Sequence, residues 1–367
     1  MDQERAAYVA LALTSGIGAA RMANLLSACG SALGAFSAPF AFLRSVPGMN
    51  AAAATAIRNM SVSDGERVLA EVQSLGGETI LPSDACYPAS FRPIEEPPIV
   101  LFAAGNLGLL GRCAVAIVGS RNHTAYGAAA CHMVASAFAR AGGSVVSGMA
   151  RGLDAVAHQT ALDAGGGTIG VLGNGLGVVY PAANRRLYDA MVDGGLLLTE
   201  FPPGERPHAG SFPQRNRLIS GLARATVVVE AAPGSGALIT ANCALEQGRE
   251  LLALPGPITS ATSVGTNRLI RDGATPVVDP ADLFHHYPEL EIAGGWTSWP
   301  DAARSSPSLQ LPPDAVALVE AVGFDPVHID TLAERLGLPP GELLGSLCTL
   351  ELAGVVVQQA GGMFRRA

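Results

Sequence analysis

Two successive glycine turns, each closing a short apolar run and opening a helix, constrain this chain more than any other feature. Ala114-Val115-Ala116-Ile117-Val118 ends at Gly119-Ser120-Arg121, and a helical segment follows from Thr124 to Ala141 before Gly142-Gly143. The pattern then repeats. Ser144-Val145-Val146-Ser147 leads into Gly148-Met149-Ala150-Arg151-Gly152, and a second helical segment runs from Leu153 to about Ala164. Apolar, β-branched runs of this length alternating with helices mark βαβ units and a parallel sheet. Ligands of such sheets sit beyond the carboxyl ends of the strands. A glycine turn that opens a helix presents backbone N–H groups and a positive dipole end, which suits a phosphate. Gly119, Ser120 and Arg121 on the first turn, with Gly148, Arg151 and Gly152 on the second, are therefore expected to form a phosphate-binding face.

The alternation continues to about residue 284. Strands are expected near 168–172, 196–199, 226–231, 250–254 and 275–278, with helices near 183–193, 213–223, 237–247 and 265–272. That count exceeds a minimal mononucleotide-binding half, so the expected class is α/β, an extended Rossmann-like, doubly wound, mostly parallel sheet. The domain reading is a helical piece over 1–65, the sheet domain over 66–286, a linker over 287–313 and a small C-terminal unit over 314–367. Gly294-Gly295-Trp296-Thr297-Ser298-Trp299-Pro300 and Ser305-Ser306-Pro307-Ser308 give the linker its composition. Helices at Asp314–Val322, Asp330–Leu336 (capped by Asp330) and Gly341–Leu352, then two short β pieces, describe a winged helix.

Composition narrows the function. A net charge of −8 argues against a broadly basic nucleic-acid binder, although a local patch can sit on an acidic protein. All 23 basic residues are arginine. Arginine is the better bidentate phosphate ligand, and a GC-rich genome produces the same bias without functional cause. Six cysteines lie far apart with no CxxC pair, which points to buried small residues in a reducing cytosol rather than disulfides or a metal site. No apolar run approaches a membrane span and the N-terminus lacks a signal pattern, so a cytoplasmic protein with no membrane partner is expected.

No GxGxxG and no GxxxxGK[ST] occurs, which disfavours ordinary dinucleotide or P-loop binding. Asp154 and His158 fall at i, i+4 on one helix face. Asp154 has two readings: it fixes the loop or the His158 tautomer beside the phosphate site, or it caps the helix and satisfies backbone amides. His208-Ala209-Gly210-Ser211-Phe212-Pro213-Gln214-Arg215-Asn216-Arg217 is the most informative stretch. It places Arg215, Asn216 and Arg217 in a first helical turn after a strand, with Phe212 available to stack on a base. The competing reading pairs Arg215 and Arg217 with Glu200 or Glu230. Pro233-Gly234-Ser235-Gly236 is a further glycine loop opening a helix, so Ser235 and Gly236 join the candidate anion site.

Near the N-terminus, Thr14-Ser15-Gly16-Ile17-Gly18 and Val46-Pro47-Gly48-Met49 resemble helix-hairpin-helix turns, whose amides hold a nucleic-acid phosphate. A small helical bundle that uses glycine as a turn residue is the favoured reading, because neither turn has paired basic residues nearby. AIVGSR, VVSGMARGLDAVAH, FPQRNRLISGL, EAAPGSGALITA, ALEQGRE, LPGPITS and GTNRLIRDGA, in that order over about 114–284, resemble the DNA processing protein A (DprA/Smf) family. The flanks resemble its sterile-alpha-motif-like or helix-hairpin-helix N-terminal domain and the C-terminal winged helix found in many members. The resemblance implies a non-catalytic protein without cofactor or metal that binds single-stranded DNA, helps load the RecA recombinase during natural transformation, and forms a homodimer. The helix over 341–351 carries two glutamates and no basic residue, so the winged helix is not expected to read a duplex; for Arg365-Arg366 a protein contact is preferred over phosphates. Two alternatives stand beside this reading. One is a nucleotide-processing enzyme like the phosphoribohydrolases, whose Pro-Gly-Gly-x-Gly-Thr loop with an early Glu is here Pro233-Gly234-Ser235-Gly236-Ala237-Leu238, the next Glu being Glu246. The other is a scaffold binding a free mononucleotide.

Overall fold

A computed structural model describes residues 2–291, 313–323, 326–352, 355–359 and 361–366. The chain divides into two compact units, Met1–Gly295 and Trp296–Ala367. Most of the expected linker, residues 292–312, lies outside the described residues.

The first unit is built on nine strands: β1 (Gly77–Ile80), β2 (Leu101–Gly105), β3 (Ala114–Val118), β4 (Ser144–Ser147), β5 (Gly167–Val171), β6 (Leu196–Thr199), β7 (Ala225–Val228), β8 (Glu250–Ala253) and β9 (Thr275–Pro276). Their order across the sheet is β1-β2-β6-β5-β4-β3-β7-β8-β9. From β6 to β9 every neighbour is parallel, and β2 joins β1 and β6 antiparallel. The chain enters the parallel part at β3, winds outward through β4, β5 and β6, then returns to continue through β7, β8 and β9. The winding direction thus reverses between β3 and β7, and the carboxyl ends of those two strands open the crevice where such sheets bind ligands.

Each central strand is buried on both faces, which is why it reads as an unbroken apolar run. Val115, Ile117, Val145 and Val227 pack with Val134, Phe138 and Leu153 of the helices Ala125–Arg140 and Leu153–Asp163. Ala116, Val118, Val146 and Val228 pack on the other side with Leu218, Ile219, Ala237 and Ala241 of the helices Ser211–Leu222 and Gly236–Glu246. Each fully buried Val, Ile or Leu contributes on the order of 1.5–3 kcal/mol, so the frame is held by these layers rather than by its loops. Strand and helix bounds agree with the expected ones to within about three residues. β9 is the shortest, stopping at Pro276, which donates no ladder bond.

The N-terminal segment forms short helices, Gln3–Ala12, Ala19–Cys29, Ala32–Ser37, Phe40–Ser45 and Ala51–Asn59, around Leu11, Met22, Leu25, Leu43 and Ile57. One side chain ties its two glycine turns together: Arg21 donates Nε to the Gly48 carbonyl (2.8 Å) and Nη1 to that of Gly16 (2.5 Å). The helix Val62–Ser74 then leads into β1.

The second unit has helices Pro313–Val322, Ile329–Leu336 and Pro340–Leu352, and its three strands run Val327–His328, Met363–Arg366, Val356–Gln359 across the sheet. Leu318, Val322, Leu332, Leu347 and Phe364 form its core. The cap of the middle helix is His328, whose side chain accepts from the Asp330 N–H, and Asp330 sits in the first turn. This corrects the expected Asp330 cap; the two-residue strand ahead of the helix moves the boundary back.

Candidate nucleic-acid interface

A cavity of about 460 Å³ opens at the reversal point between β3 and β7. Gly119, Ser120, Arg121 and Asn122 border it from β3, Ala150 and Asp154 from β4, and Ala232 to Ala237 from β7; Phe212, Arg215 and Asn216 project from the Ser211–Leu222 helix. A second cavity of about 340 Å³ abuts it, sharing Arg121, Ala150, Phe212 and Arg215 and adding Gly148, Arg151, Asn174 and Tyr180. The turns after β3, β4 and β7 thus meet at one edge of the sheet.

The turn after β4 is locked from several sides. Gly152 has φ +85°, and a Cβ there would lie 2.4 Å from the Ser120 carbonyl oxygen and 2.7 Å from the Arg121 Cα. The Leu153 N–H also donates to the Ser120 carbonyl at 3.1 Å. The first turn therefore rests on the second. Asp154 accepts the N–H groups of Gly148 (3.1 Å) and Ala150 (3.4 Å), and Asn184 Nδ2 donates to the Met149 and Ala150 carbonyls at 3.0 and 3.2 Å. This corrects one expectation: the Gly148 amide is spent on Asp154, as is that of Ala150, and is not left for a phosphate. Asp154 satisfies backbone amides, as the capping reading expected, but they are those of the preceding loop, as the loop-fixing reading expected; the cap itself is Gly152 and Asp154 sits in the first turn. It does not orient His158, whose Nδ1 meets Thr168 Oγ1 at 2.7 Å.

Arg215 is buried across the centre of this edge. Its Nη1 donates to the Gly148 carbonyl at 2.6 Å and to the Val171 carbonyl, and its Nε donates to Asn216 Oδ1 at 3.3 Å. A Cβ on Gly148 would lie 2.7 Å from both terminal nitrogens, so only glycine leaves room for the guanidinium. Burial pulls the Arg215 pKa down to about 10; Asp154 opposes that fall and the like charge of Arg121 adds to it. Burial likewise pushes the Asp154 carboxyl up, against the pull of Arg215. Two guanidinium groups that repel one another across a shared cavity wall favour an anion between them.

Behind them His158 is fully buried, and desolvation, then Arg215, hold its pKa at about 3 against the 6.5 of an unfolded histidine. Above pH 6.5 both states are neutral and the group contributes nothing. Below it the unfolded chain takes up the proton first, so stability falls by ~1.4 kcal/mol per pH unit, about 2 kcal/mol by pH 5. His158→Gln should flatten the acid limb of stability against pH in urea titrations. An unchanged slope between pH 6.5 and 5 would assign that limb to other groups.

Arg121 is exposed, with Cζ 5.9 Å from the Phe212 ring centroid, and Phe212 in turn packs on Tyr180 with centroids 5.5 Å apart. Arg151 is exposed at the wall of the second cavity. Ser235 caps the Gly236–Glu246 helix through its Oγ, and Gly236 is that helix's first residue, with an amide that lacks an intrahelical acceptor. Asn216 is buried beside Arg215 and lines the first cavity. Arg217 departs from the expected cluster: its Nη2 donates to both Glu200 oxygens at 2.8 and 2.7 Å, and it borders a different cavity, with Gly16, Gly18 and Gln214. The ion-pair reading describes Arg217 and not Arg215. Glu230 pairs with neither; it accepts from the Thr124 N–H, Thr124 Oγ1 and Thr262 Oγ1. Sequence reasoning missed Tyr180 and Asn184, although the carboxyl-end rule that selected the turns after β3 and β4 applies equally to the loop after β5. Among the described residues no group of three or more His, Cys, Asp or Glu is placed to hold a metal ion, and no helix is long and apolar enough to cross a membrane.

Residues 78–288 match the family described as DNA recombination-mediator protein A, and residues 300–362 match the DprA winged helix domain. The chain belongs to the DprA family. Protein Smf of Escherichia coli K12 is 41% identical over 295 residues, covering 78% of this chain and 77% of that relative. The X-ray structure of Streptococcus pneumoniae DprA superposes with TM-score 0.67 at 34% identity over 78% of this chain and 98% of that one. Helicobacter pylori DprA, solved for its single-stranded DNA binding mode, gives TM-score 0.54 at 29% identity over 58% of this chain and 96% of that one.

Proposed function

We propose that this DprA-family chain binds single-stranded DNA at the edge formed by the turns after β3, β4 and β7, without catalysing a reaction on it. The observation that carries the reading is the convergence of Arg121 and the desolvated Arg215 on one cavity whose wall is the Phe212 ring. Guanidinium groups take the phosphates, the Gly236 amide adds a donor, and Phe212 offers a face on which any base stacks. Kinship with a Helicobacter pylori protein studied for single-stranded DNA binding supports the same ligand. Within this reading the chain works in the cytoplasm as a homodimer and hands its strand to RecA during transformation. Arg121→Ala should weaken binding of a fluorescent thymine 20-mer several-fold and lower the slope of log K against log salt by about 0.7, one released counterion. Parent-like affinity and slope would remove Arg121 from the interface.

The enzyme alternative asks for a carboxylate beside the 233–238 loop. Asp154 borders the cavity with its carboxylate engaged by two amides, and Glu246 is exposed at the far end of its helix. Incubation with nucleoside monophosphates should release no free base. A mononucleotide scaffold is separated by competition: thymidine monophosphate should displace the labelled 20-mer only at concentrations far above those at which unlabelled 20-mer does.

A further inference from the structure

The second cavity is lined in part by Tyr180, Pro181 and Ala183, just ahead of the helix Arg185–Gly194, and unpaired arginines lie beside it. Tyr180, 45% exposed, lines it next to Phe212, and Ala183 lines it too. The next residue, Asn184, is the one whose side chain clamps the Met149 and Ala150 carbonyls. Arg185 and Arg186 follow directly. The clamp therefore fixes the backbone that carries these two arginines against the turn that carries Arg151. Leu187, Tyr188 and Met191 hold the inner face of the helix, which leaves Arg185 and Arg186 exposed. Many arginines of this chain are committed to carbonyls or carboxylates, among them Arg5, Arg21, Arg58, Arg217, Arg224 and Arg249. The side chains of Arg151, Arg185 and Arg186, by contrast, make no hydrogen bond or ion pair among the described residues.

We infer that a single DNA strand does not stop at the first cavity: it runs over the Phe212–Tyr180 pair into the second, with one base on Tyr180 and its following phosphates on Arg151, Arg185 and Arg186. This rests on the single-stranded DNA reading above and extends its footprint to a surface that reading leaves unassigned. Two cavities that share the Phe212 ring, the second adding Tyr180 and continued by three unpaired cations, fit a polymer of alternating bases and phosphates. Because side chains on the rim of a rigid cleft contact phosphate and not base edges, the track adds affinity without sequence preference.

The test compares five proteins binding the fluorescent thymine 20-mer across a range of salt: the parent, Arg121→Ala, Tyr180→Ala, the double variant R185A/R186A, and R112A/R140A. The last removes the same charge from exposed residues at the amino ends of β3 and β4. R185A/R186A should lower the salt slope by about 1.4, two counterions at ~0.7 each, whereas R112A/R140A should leave the slope near the parent's. Tyr180→Ala should weaken binding by roughly fivefold or more at fixed salt, the loss of one stacked base. Equal slopes for the two double variants, or parent-like affinity for Tyr180→Ala, overturn the track. If the parent itself does not bind the 20-mer, the broader reading fails first. If the parent binds and Arg121→Ala weakens it while R185A/R186A does not, only the track is wrong.

Discussion

Arg215→Ala is expected to cost the fold about 3–5 kcal/mol and to abolish single-stranded DNA binding. Removing a buried cation that offsets a buried carboxylate leaves that carboxylate charged and desolvated, a penalty of about 3–5 kcal/mol. Here the loss reaches the backbone as well. Asp154 would keep its two amide donors but lose the positive charge that offsets its burial, and the Gly148 and Val171 carbonyls would lose their guanidinium donor. The double variant R215A/D154N separates the effects. With the carboxylate gone it should regain part of the stability in urea unfolding, yet still fail to bind a thymine 20-mer. Arg215→Lys keeps the charge without the fork and should fall between parent and Arg215→Ala in both measurements. Parent-like stability of Arg215→Ala would mean that the buried guanidinium is not what joins these strands.

A single methyl group at Gly152 should do damage of similar size. The backbone there has φ +85°, and the added carbon would meet the Ser120 oxygen at 2.4 Å and the Arg121 Cα at 2.7 Å, both main-chain atoms that cannot rotate away. Gly152→Ala therefore has to push the first turn off the second and carry Arg121 with it. We expect a loss of about 3 kcal/mol or more in unfolding free energy together with a fall in DNA affinity of tenfold or more. Gly142→Ala is the natural comparison. Its φ is +88°, but an added Cβ there meets nothing within 4 Å. It should cost only the backbone term, about 1–2 kcal/mol, and leave binding unchanged. If the two variants are equally stable, the contact between the turns is not tight in solution.

The sheet was legible because its information is local. A strand buried on both faces must be apolar throughout, and a helix packed on it must end where the next strand begins, so β3 to β8 and their helices can be read residue by residue. The site was legible to the extent that it follows from this alternation: the turns after β3, β4 and β7 converge because parallel strands share a carboxyl edge. What the pattern does not contain is which polar group takes which partner. Arg215 and Arg217 look equivalent in the string Arg215-Asn216-Arg217, yet two residues along a helix are rotated by about 200°, so one enters the cleft and the other meets Glu200. That divergence was deducible from helix geometry alone. The capture of the Gly148 and Ala150 amides by Asp154 was not, since a carboxylate in a first helical turn serves equally well as a cap or as a brace for the preceding loop. Tyr180 and Asn184 escaped notice because their partners, Phe212 and the Met149 and Ala150 carbonyls, lie some thirty residues away in sequence, on either side.

The guanidinium of Arg215 holds the carbonyls at the ends of two neighbouring strands, one on β4's turn and one on β5. A side chain that staples adjacent strand tips turns the rim into a casting rather than a jaw: its shape is set when the chain folds, before anything docks. The disorder surrendered on association then falls almost wholly on the incoming polymer, and pliant polymers are the ones that can follow a mould they did not help to form.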